Sequence, residues 1–332
     1  MSADAYRVGD PVPFATTATG RDRVVADLAH VAKRPGVPKP DAIVVADNVT
    51  RHFGGMTAVD VDHLEVQRGG ITALIGPNGA GKTTLFNLLT GFDKPSTGTW
   101  TFEGRSLSGV PAAKVARSGM VRTFQLTKAL SRMTVIENMR LGATHQAGEN
   151  LFTALVPPLW RAREKEITAQ AEELLERFKL DTKRDDYAGS LSGGQRKLLE
   201  MARALMSKPT MVMLDEPMAG VNPALTQSLL GHIQALREEG TTVLFVEHDM
   251  HMVRFISDWV VVMAEGRIVA EGPPESVMAD QAVIDAYLGA HHDTDLGDDS
   301  LLDDDSPVAA TLAAEEAAEE AARTATETKE QR

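Results

Sequence analysis

Nine consecutive positions, Gly76, Pro77, Asn78, Gly79, Ala80, Gly81, Lys82, Thr83 and Thr84, contain the spacing GxxxxGK[ST]. The chemistry that this spacing suits is phosphate binding. Its glycines let successive backbone N–H groups turn inward around phosphate oxygens at the positive end of a helix dipole. Lys82 would reach the β- and γ-phosphates as a mobile point charge, and the Thr83 hydroxyl would ligate Mg²⁺. The rival reading is an accidental glycine-rich turn.

A second constellation ends the apolar run Met211-Val-Met-Leu with Asp215 and Glu216. Two carboxylates leaving a buried strand arrive at the carboxyl edge of a parallel sheet, where ligands sit. Asp215 would hold Mg²⁺ through its water shell, and Glu216 would orient or polarise an attacking water. An acidic pair can equally cap a helix, so the separation of over a hundred residues from a phosphate loop is what gives it weight. A third feature is Leu191-Ser192-Gly193-Gly194-Gln195, just ahead of the helix-periodic Leu198, Leu199, Ala202 and Leu205. It makes another helix start suited to an anion. Two phosphate-grasping elements in one chain suggest a nucleotide held between two subunits. Read alone, SGG is a plain linker.

The elements that must hold these residues are legible from periodicity. Ile71 to Ile75 is a short apolar run ended by glycine, the strand that feeds the phosphate loop, and Leu85, Phe86, Leu88 and Leu89 mark the helix behind it. Val59 to Val66 alternates as a half-buried strand does, whereas Met211 to Leu214 and Val243 to Val246 are continuous, as in a parallel sheet covered on both faces. Ile167, Ala171, Leu174, Leu175 and Phe178 form one face of an amphipathic helix. Glu265-Gly266 between two apolar runs predicts a hairpin at the sheet edge. The class is α/β, with one nucleotide-binding unit per chain.

Composition excludes several other classes. The longest apolar run, Trp259 to Ala264, is far short of the ~20 residues that span a bilayer. No apolar leader follows Met1, so the chain is expected to be soluble and cytoplasmic. Cysteine is absent, which removes disulfides and thiolate metal sites. Of the net charge of −13, −10 lies in residues 291–332, where 13 Asp/Glu face 3 Lys/Arg. With no basic run left elsewhere, no nucleic-acid partner is expected. Residues 1–40 have scattered apolar positions and a Pro-punctuated end, which predicts a mobile extension with a short helix around Val24 to Val31. Residues 291–332 are expected to be a disordered acidic tail.

In order and spacing these motifs resemble an ABC-type ATPase over about Ile43 to Gly289: phosphate loop, Gln125, LSGGQ, MVMLDE, then His248 after TVLFVEH. The resemblance implies a P-loop NTPase fold over residues 41–290, with a RecA-like core, an antiparallel β edge subdomain and a helical subdomain at about 126–200. It implies that Phe53 stacks on adenine, with a core phenylalanine as the rival, and that Gln125 touches Mg²⁺ and reports on the membrane partner. It further implies that Ser192, Gly193 and Gly194, with Gln195, bind the γ-phosphate of ATP on the opposite subunit, and that His248 contacts γ-phosphate near the catalytic Glu216. ATP and Mg²⁺ are the implied cofactors. A second cassette, identical or a sister chain, two membrane-spanning permease subunits and, indirectly, an extracytoplasmic solute-binding protein are the implied partners, at the cytoplasmic face of the membrane.

FGGMTAVDVDHLEV, VRTFQLTKALSRMTVIENM, AGVNP, VEHDMHMV and VIDAYLG resemble more narrowly the ATPase of branched-chain amino acid importers, as does the extra segment from about Ala143 to Arg163. Cassettes serving urea or short amides are similar, and cargo never touches this subunit. In the loop after Glu216, Asn222 stands where many cassettes have aspartate, which puts a charged cross-subunit contact in doubt. A soluble ABC ATPase acting on nucleic acid would usually carry two cassettes or a coiled-coil insertion, and a non-hydrolysing module would lack Glu216 and His248.

Overall fold

The computed structural model describes residues 19–123, 130–144 and 157–291. Strands β1 (Ala42–Phe53) and β2 (Met56–Gln67) form an antiparallel hairpin turned at Gly54 and Gly55, and β4 (Thr97–Phe102) and β5 (Arg105–Ser106) complete a sheet in the order β2-β1-β4-β5. A second sheet has the order β10-β9-β3-β8-β7-β6, built from β3 (Ile71–Ile75), β6 (Met120–Arg122), β7 (Met211–Asp215), β8 (Thr242–Val246), β9 (Trp259–Ala264) and β10 (Arg267–Gly272). All its neighbours run parallel except β9 and β10. That hairpin turns on Glu265 and Gly266, whose φ values of 49° and 81° are the left-handed pair a tight two-residue turn needs.

The continuous apolar strands sort their side chains by parity. Ile71, Ala73, Ile75, Val212, Leu214, Val243 and Phe245 join one core, while Leu74, Met211, Met213, Leu244 and Val246 join another on the opposite face. A strand with both faces covered needs no polar alternation, which is why these runs read as unbroken. The first core takes in helices α5 (Pro157–Arg177), α6 (Gly193–Leu205), α7 (Pro223–Glu238) and α8 (Met250–Ile256). The second takes in the β1–β2 hairpin, α2 (Lys82–Leu89) and α3 (Ala112–Arg117). Helix α4 (Val135–Leu141) packs against α5 and α6, giving the helical subdomain its own contacts. Two short helices close the described chain, α9 (Pro274–Met278) and α10 (Gln281–His291).

The expectation of a mobile extension over residues 1–40 does not hold for its second half. Helix α1 (Gly20–Leu28) starts with a reciprocal cap between Thr19 and Asp22 and buries Val24 and Leu28 against the sheet's amino edge. The Gly20 N–H donates to Glu238 at the end of α7, and Arg21 lies 3.8 Å from Asp258. Further on, the Glu271 carboxylate on β10 accepts from the Val37 N–H (2.9 Å), the Lys39 ammonium (2.7 Å) and the Trp259 indole (2.9 Å). Sequence composition hid this strap because only five of its positions (Gly20, Val24, Leu28, Val37 and the paired Lys39) are buried among many exposed ones. The acidic tail beyond His291, Gln125 and most of the Ala143 to Arg163 segment lie outside the described residues. Among the described residues, no helix is long and apolar enough to cross a membrane.

Candidate functional site

The phosphate loop leaves β3 at Ile75, in the middle of the sheet, and enters α2 at Gly81. Gly76 and Gly81 are required by both conformation and space. Their φ values are 147° and 98°, and a Cβ would fall 2.0 Å from the Met263 carbonyl oxygen at Gly76 and 2.3 Å from that of Ala58 at Gly81. The tip of the edge hairpin braces the loop from outside: the Gly266 N–H donates to the Ala80 carbonyl (3.0 Å), and the Gly266 carbonyl accepts from the Asp60 N–H (2.8 Å). Lys82 is buried, its ammonium 2.6 Å from the Gly76 carbonyl oxygen and 2.9 Å from that of Pro77. Burial pulls its pKa down, and the carboxylates of Glu216 and Asp215 oppose that pull. Asn78, Gly79 and Thr83 are open to solvent at the mouth of the loop, and Pro77 and Thr84 lie half-buried.

Facing the loop, β7 delivers the acidic pair. Asp215 is buried and pairs with Arg122 of β6 at 2.6 Å; the same guanidinium donates to the Asn87 side chain of α2 at 2.6 Å. A sheet-edge arginine thus fixes the carboxylate against the loop's own helix. Glu216 follows in the left-handed region (φ 47°), an uncommon and costly conformation for a residue with a Cβ. Its Oε1 lies 2.8 Å from Nε2 of His248, which stands just past β8. Lys82, Asp215, Glu216 and His248 are therefore one constellation, gathered by the carboxyl ends of β3, β7 and β8.

Phe53, at the end of β1, is 45% exposed, so it is not a core residue; the Arg51 guanidinium stacks 4.5 Å from its ring centre. Ser192 is the N-cap of α6, its hydroxyl accepting from the Gln195 N–H (3.2 Å) while Gln195 Oε1 accepts from the Ser192 N–H (3.0 Å). Gly193 has open space where a Cβ would stand, whereas a Cβ at Gly194 would strike Leu225. Asn222 caps α7, its side chain accepting from the Leu225 N–H at 2.9 Å.

A family model described as ABC transporter matches residues 59–219. A probable branched-chain amino acid transport ATP-binding protein, LivG of Archaeoglobus fulgidus, is 41% identical over 248 residues, covering 75% of this chain and 96% of that protein. The chain belongs to the ABC transporter ATP-binding cassettes. A second family model, for branched-chain amino acid ATP-binding cassette transporters, matches the cassette's residues 267–293. The high-affinity branched-chain amino acid transport ATP-binding protein BraF of Pseudomonas aeruginosa is 41% identical over 249 residues, covering 74% of this chain and 98% of that one. A solved nucleotide-free ATP-binding cassette from an ABC transporter superposes with a TM-score of 0.65 at 38% identity, covering 74% of this chain and 98% of that one. Another, in its ADP conformation, gives 0.64 at 37% identity, covering 75% and 99%.

Several residues of the cassette's site lie inside the quoted stretches without a role that their type or spacing reveals. Arg122, which pairs with Asp215, lies three positions before Gln125, and its residue type alone does not distinguish it from a surface arginine. Glu247 follows β8, and its buried carboxylate accepts from the Met218 N–H (3.0 Å) and the His248 N–H (3.2 Å). Burial raises its pKa, with those two N–H groups acting the other way. Tyr287 of α10 lies against the phosphate loop at Gly76; burial pushes its phenol up to about 12. A charged residue directly after a continuous apolar strand, as at Glu247, is the one available signal, because in a parallel sheet that position is next to the site.

Proposed function

We propose that this cassette hydrolyses ATP to drive uptake of branched-chain amino acids, as one of a pair of cassettes beneath two permease subunits at the cytoplasmic face of a membrane. A solute-binding protein on the far side would deliver the cargo. The observation that carries the catalytic part is the 2.8 Å contact between Glu216 and His248 beside Lys82 and Asp215. The carboxylate of Glu216 orients the attacking water, and His248 holds Glu216 and meets the γ-phosphate. Lys82 leaves its two loop carbonyls for the β- and γ-phosphates, and the exposed Phe53 takes the adenine. The cargo part rests on relatives described as branched-chain amino acid transport proteins.

Mg²⁺ fits the donors present: the Thr83 hydroxyl and Asp215 carboxylate are hard oxygens, with Gln125 the third expected ligand. Among the described residues, no three His, Cys, Asp or Glu converge on one point, so the ion would be held largely by phosphate oxygens and water, as Mg²⁺ prefers. When bound, it would neutralise charge developing on the phosphates. The exposed α6 start, with Ser192 and Gly193 open to solvent, supports a head-to-tail pair in which each α6 start closes the other subunit's nucleotide. ATP then favours the closed pair and hydrolysis opens it, a ligand-biased two-state switch that rocks the permeases.

The test is Glu216→Gln. The variant should bind ATP as the wild type does and lose turnover, and cells whose copy of this chain carries it should lose radiolabelled leucine uptake. Hydrolysis at the wild-type rate would refute the catalytic assignment. Leucine uptake that is independent of this chain, with urea uptake dependent on it, would refute the cargo.

A further inference from the structure

We propose that Lys197 is a positioning residue for catalysis, latching the loop that carries Glu216 onto the helix that begins at Ser192. The proposal rests on the functional reading above. Lys197 lies on α6, five positions past Ser192, and its ammonium reaches away from its own helix. It donates to three backbone carbonyls in succession: Glu216 (3.2 Å), Pro217 (3.0 Å) and Ala219 (2.5 Å). An ammonium has three donors and no acceptor, so this cage uses its hydrogen-bonding capacity in full. A lysine serving only to solvate a helix face would not turn inward to cap another segment's carbonyls.

Those carbonyls converge because Glu216 is left-handed. Such a conformation in a residue with a Cβ persists only where its surroundings over-determine it. Here the restraints come from two sides. From β8, the Val246 carbonyl accepts from the Glu216 N–H (3.0 Å) and the Glu247 carboxylate accepts from the Met218 N–H (3.0 Å). From α6 comes Lys197, whose positive charge is balanced by Glu247, Glu200 and Glu216 while burial lowers its pKa. Of the two sides, the α6 side is set by where that helix sits. Aim of the Glu216 carboxylate is thereby tied to the position of the helix whose first turn faces the partner's nucleotide. One subunit's catalytic carboxylate and the other subunit's γ-phosphate meet through one ammonium.

The experiment compares purified wild type, Lys197→Met, Lys197→Arg, Glu247→Gln and Glu216→Gln. Each is measured for steady-state ATP hydrolysis, for affinity toward a fluorescent ATP analogue in the absence of turnover, and for melting temperature. Lys197→Met should lower kcat by roughly 10- to 100-fold, the range expected when a reacting group is misplaced by about 1 Å. Its nucleotide affinity should remain within about twofold of wild type, because the phosphate loop is untouched. Lys197→Arg, which keeps a charged donor on a long stem, should recover most of kcat, and Glu247→Gln, which loosens the other side, should lower kcat as well. A Lys197→Met protein with wild-type kcat overturns the proposal, and so does one whose affinity, kcat and melting temperature collapse together without rescue by arginine. If Lys197→Met does not fold, Lys197→Gln takes its place, and wild-type kcat in that variant overturns it equally. An active Glu216→Gln overturns the functional reading itself, whereas an inactive Glu216→Gln beside a fully active Lys197→Met overturns this proposal alone.

Discussion

Replacing Glu271 by Gln should detach the strap from the cassette at a cost that can be worked out. In the native protein the Glu271 carboxylate accepts three hydrogen bonds, and the side chains of Lys39 and Glu271 are both fully buried. The Lys39 ammonium also lies 4.8 Å from the centre of the Trp259 ring. Glutamine keeps an acceptor for only one side, because the Val37 N–H bonds one carboxylate oxygen while Trp259 and Lys39 share the other, and it removes the ammonium's nearest counter-charge, leaving Glu65 alone. Breaking a buried pair from one side costs about 3–5 kcal/mol. An upper bound comes from the alternative open to the chain, which is to release the strap and expose Val24, Leu28 and Val37 at roughly 1.5–3 kcal/mol each, while regaining the entropy of an ordered segment. These limits place the loss for Glu271→Gln at about 3 kcal/mol, with a melting temperature lower by about 6–12 °C. Lys39→Met should cost about 2 kcal/mol, since the carboxylate keeps two N–H donors. The double variant removes both charges and should lose no more than the worse single variant, a coupling of about 2–3 kcal/mol. Urea unfolding followed by tryptophan fluorescence measures all four proteins, with Trp259 one of the three tryptophans that contribute to the signal. Single variants within about 1 kcal/mol of wild type, or a double variant whose losses add, would refute the reasoning.

Two other outcomes are expected. Gly193→Ala should leave stability unchanged or raise it by up to about 1 kcal/mol, since the Cβ meets open space at a helix's first turn, yet it should lower turnover if a second subunit's phosphate seats there; denaturation and hydrolysis measured on one preparation separate the two effects. His232 stacks on Phe178 with ring centres 4.1 Å apart, and burial, with Arg177 and Lys179 nearby, lowers its pKa to about 4. The folded state therefore keeps His232 neutral while the unfolded chain takes up a proton near pH 6.5, so stability is full above that value and falls as pH drops toward 4. Between pH 7 and pH 5 the fall should be about 1–2 kcal/mol after allowance for partial exposure, and His232→Gln should lose that part of the pH dependence in urea titrations.

Sequence reading reached furthest where a residue's type and its covalent neighbours decide the structure together. The buried strands at Ile71, Met211 and Thr242, the hairpin turn at Glu265-Gly266 and the helix start at Ser192 are local events, written in apolar runs, paired left-handed positions and a capping serine. Glu216 and His248 were visible because each ends such a strand. What stayed hidden depends on contacts across the chain. Arg122 needs Asp215 and Asn87, and Lys197 needs three carbonyls of another segment. Lys39 becomes buried only because Glu271, 232 positions on, waits for it. Periodicity cannot report a partner that far away, and the strap's exposed majority made its few anchors look incidental.

The place of β3 in the sheet has a consequence for synthesis on the ribosome. Its neighbours are β8 and β9, so Ile75 waits for Val262 before its strand is paired on both sides. At roughly 5–20 residues per second that interval lasts on the order of 10–40 s, during which a largely apolar strand lacks one or both of its neighbours. ATP cannot help the nascent chain over this interval, because the loop that would grip it takes shape against Met263 and Gly266. The nucleotide site is thus begun by one segment and completed only when a distant later one has been made, and protecting Ile71 to Ile75 in the meantime falls to chaperones or to non-native collapse.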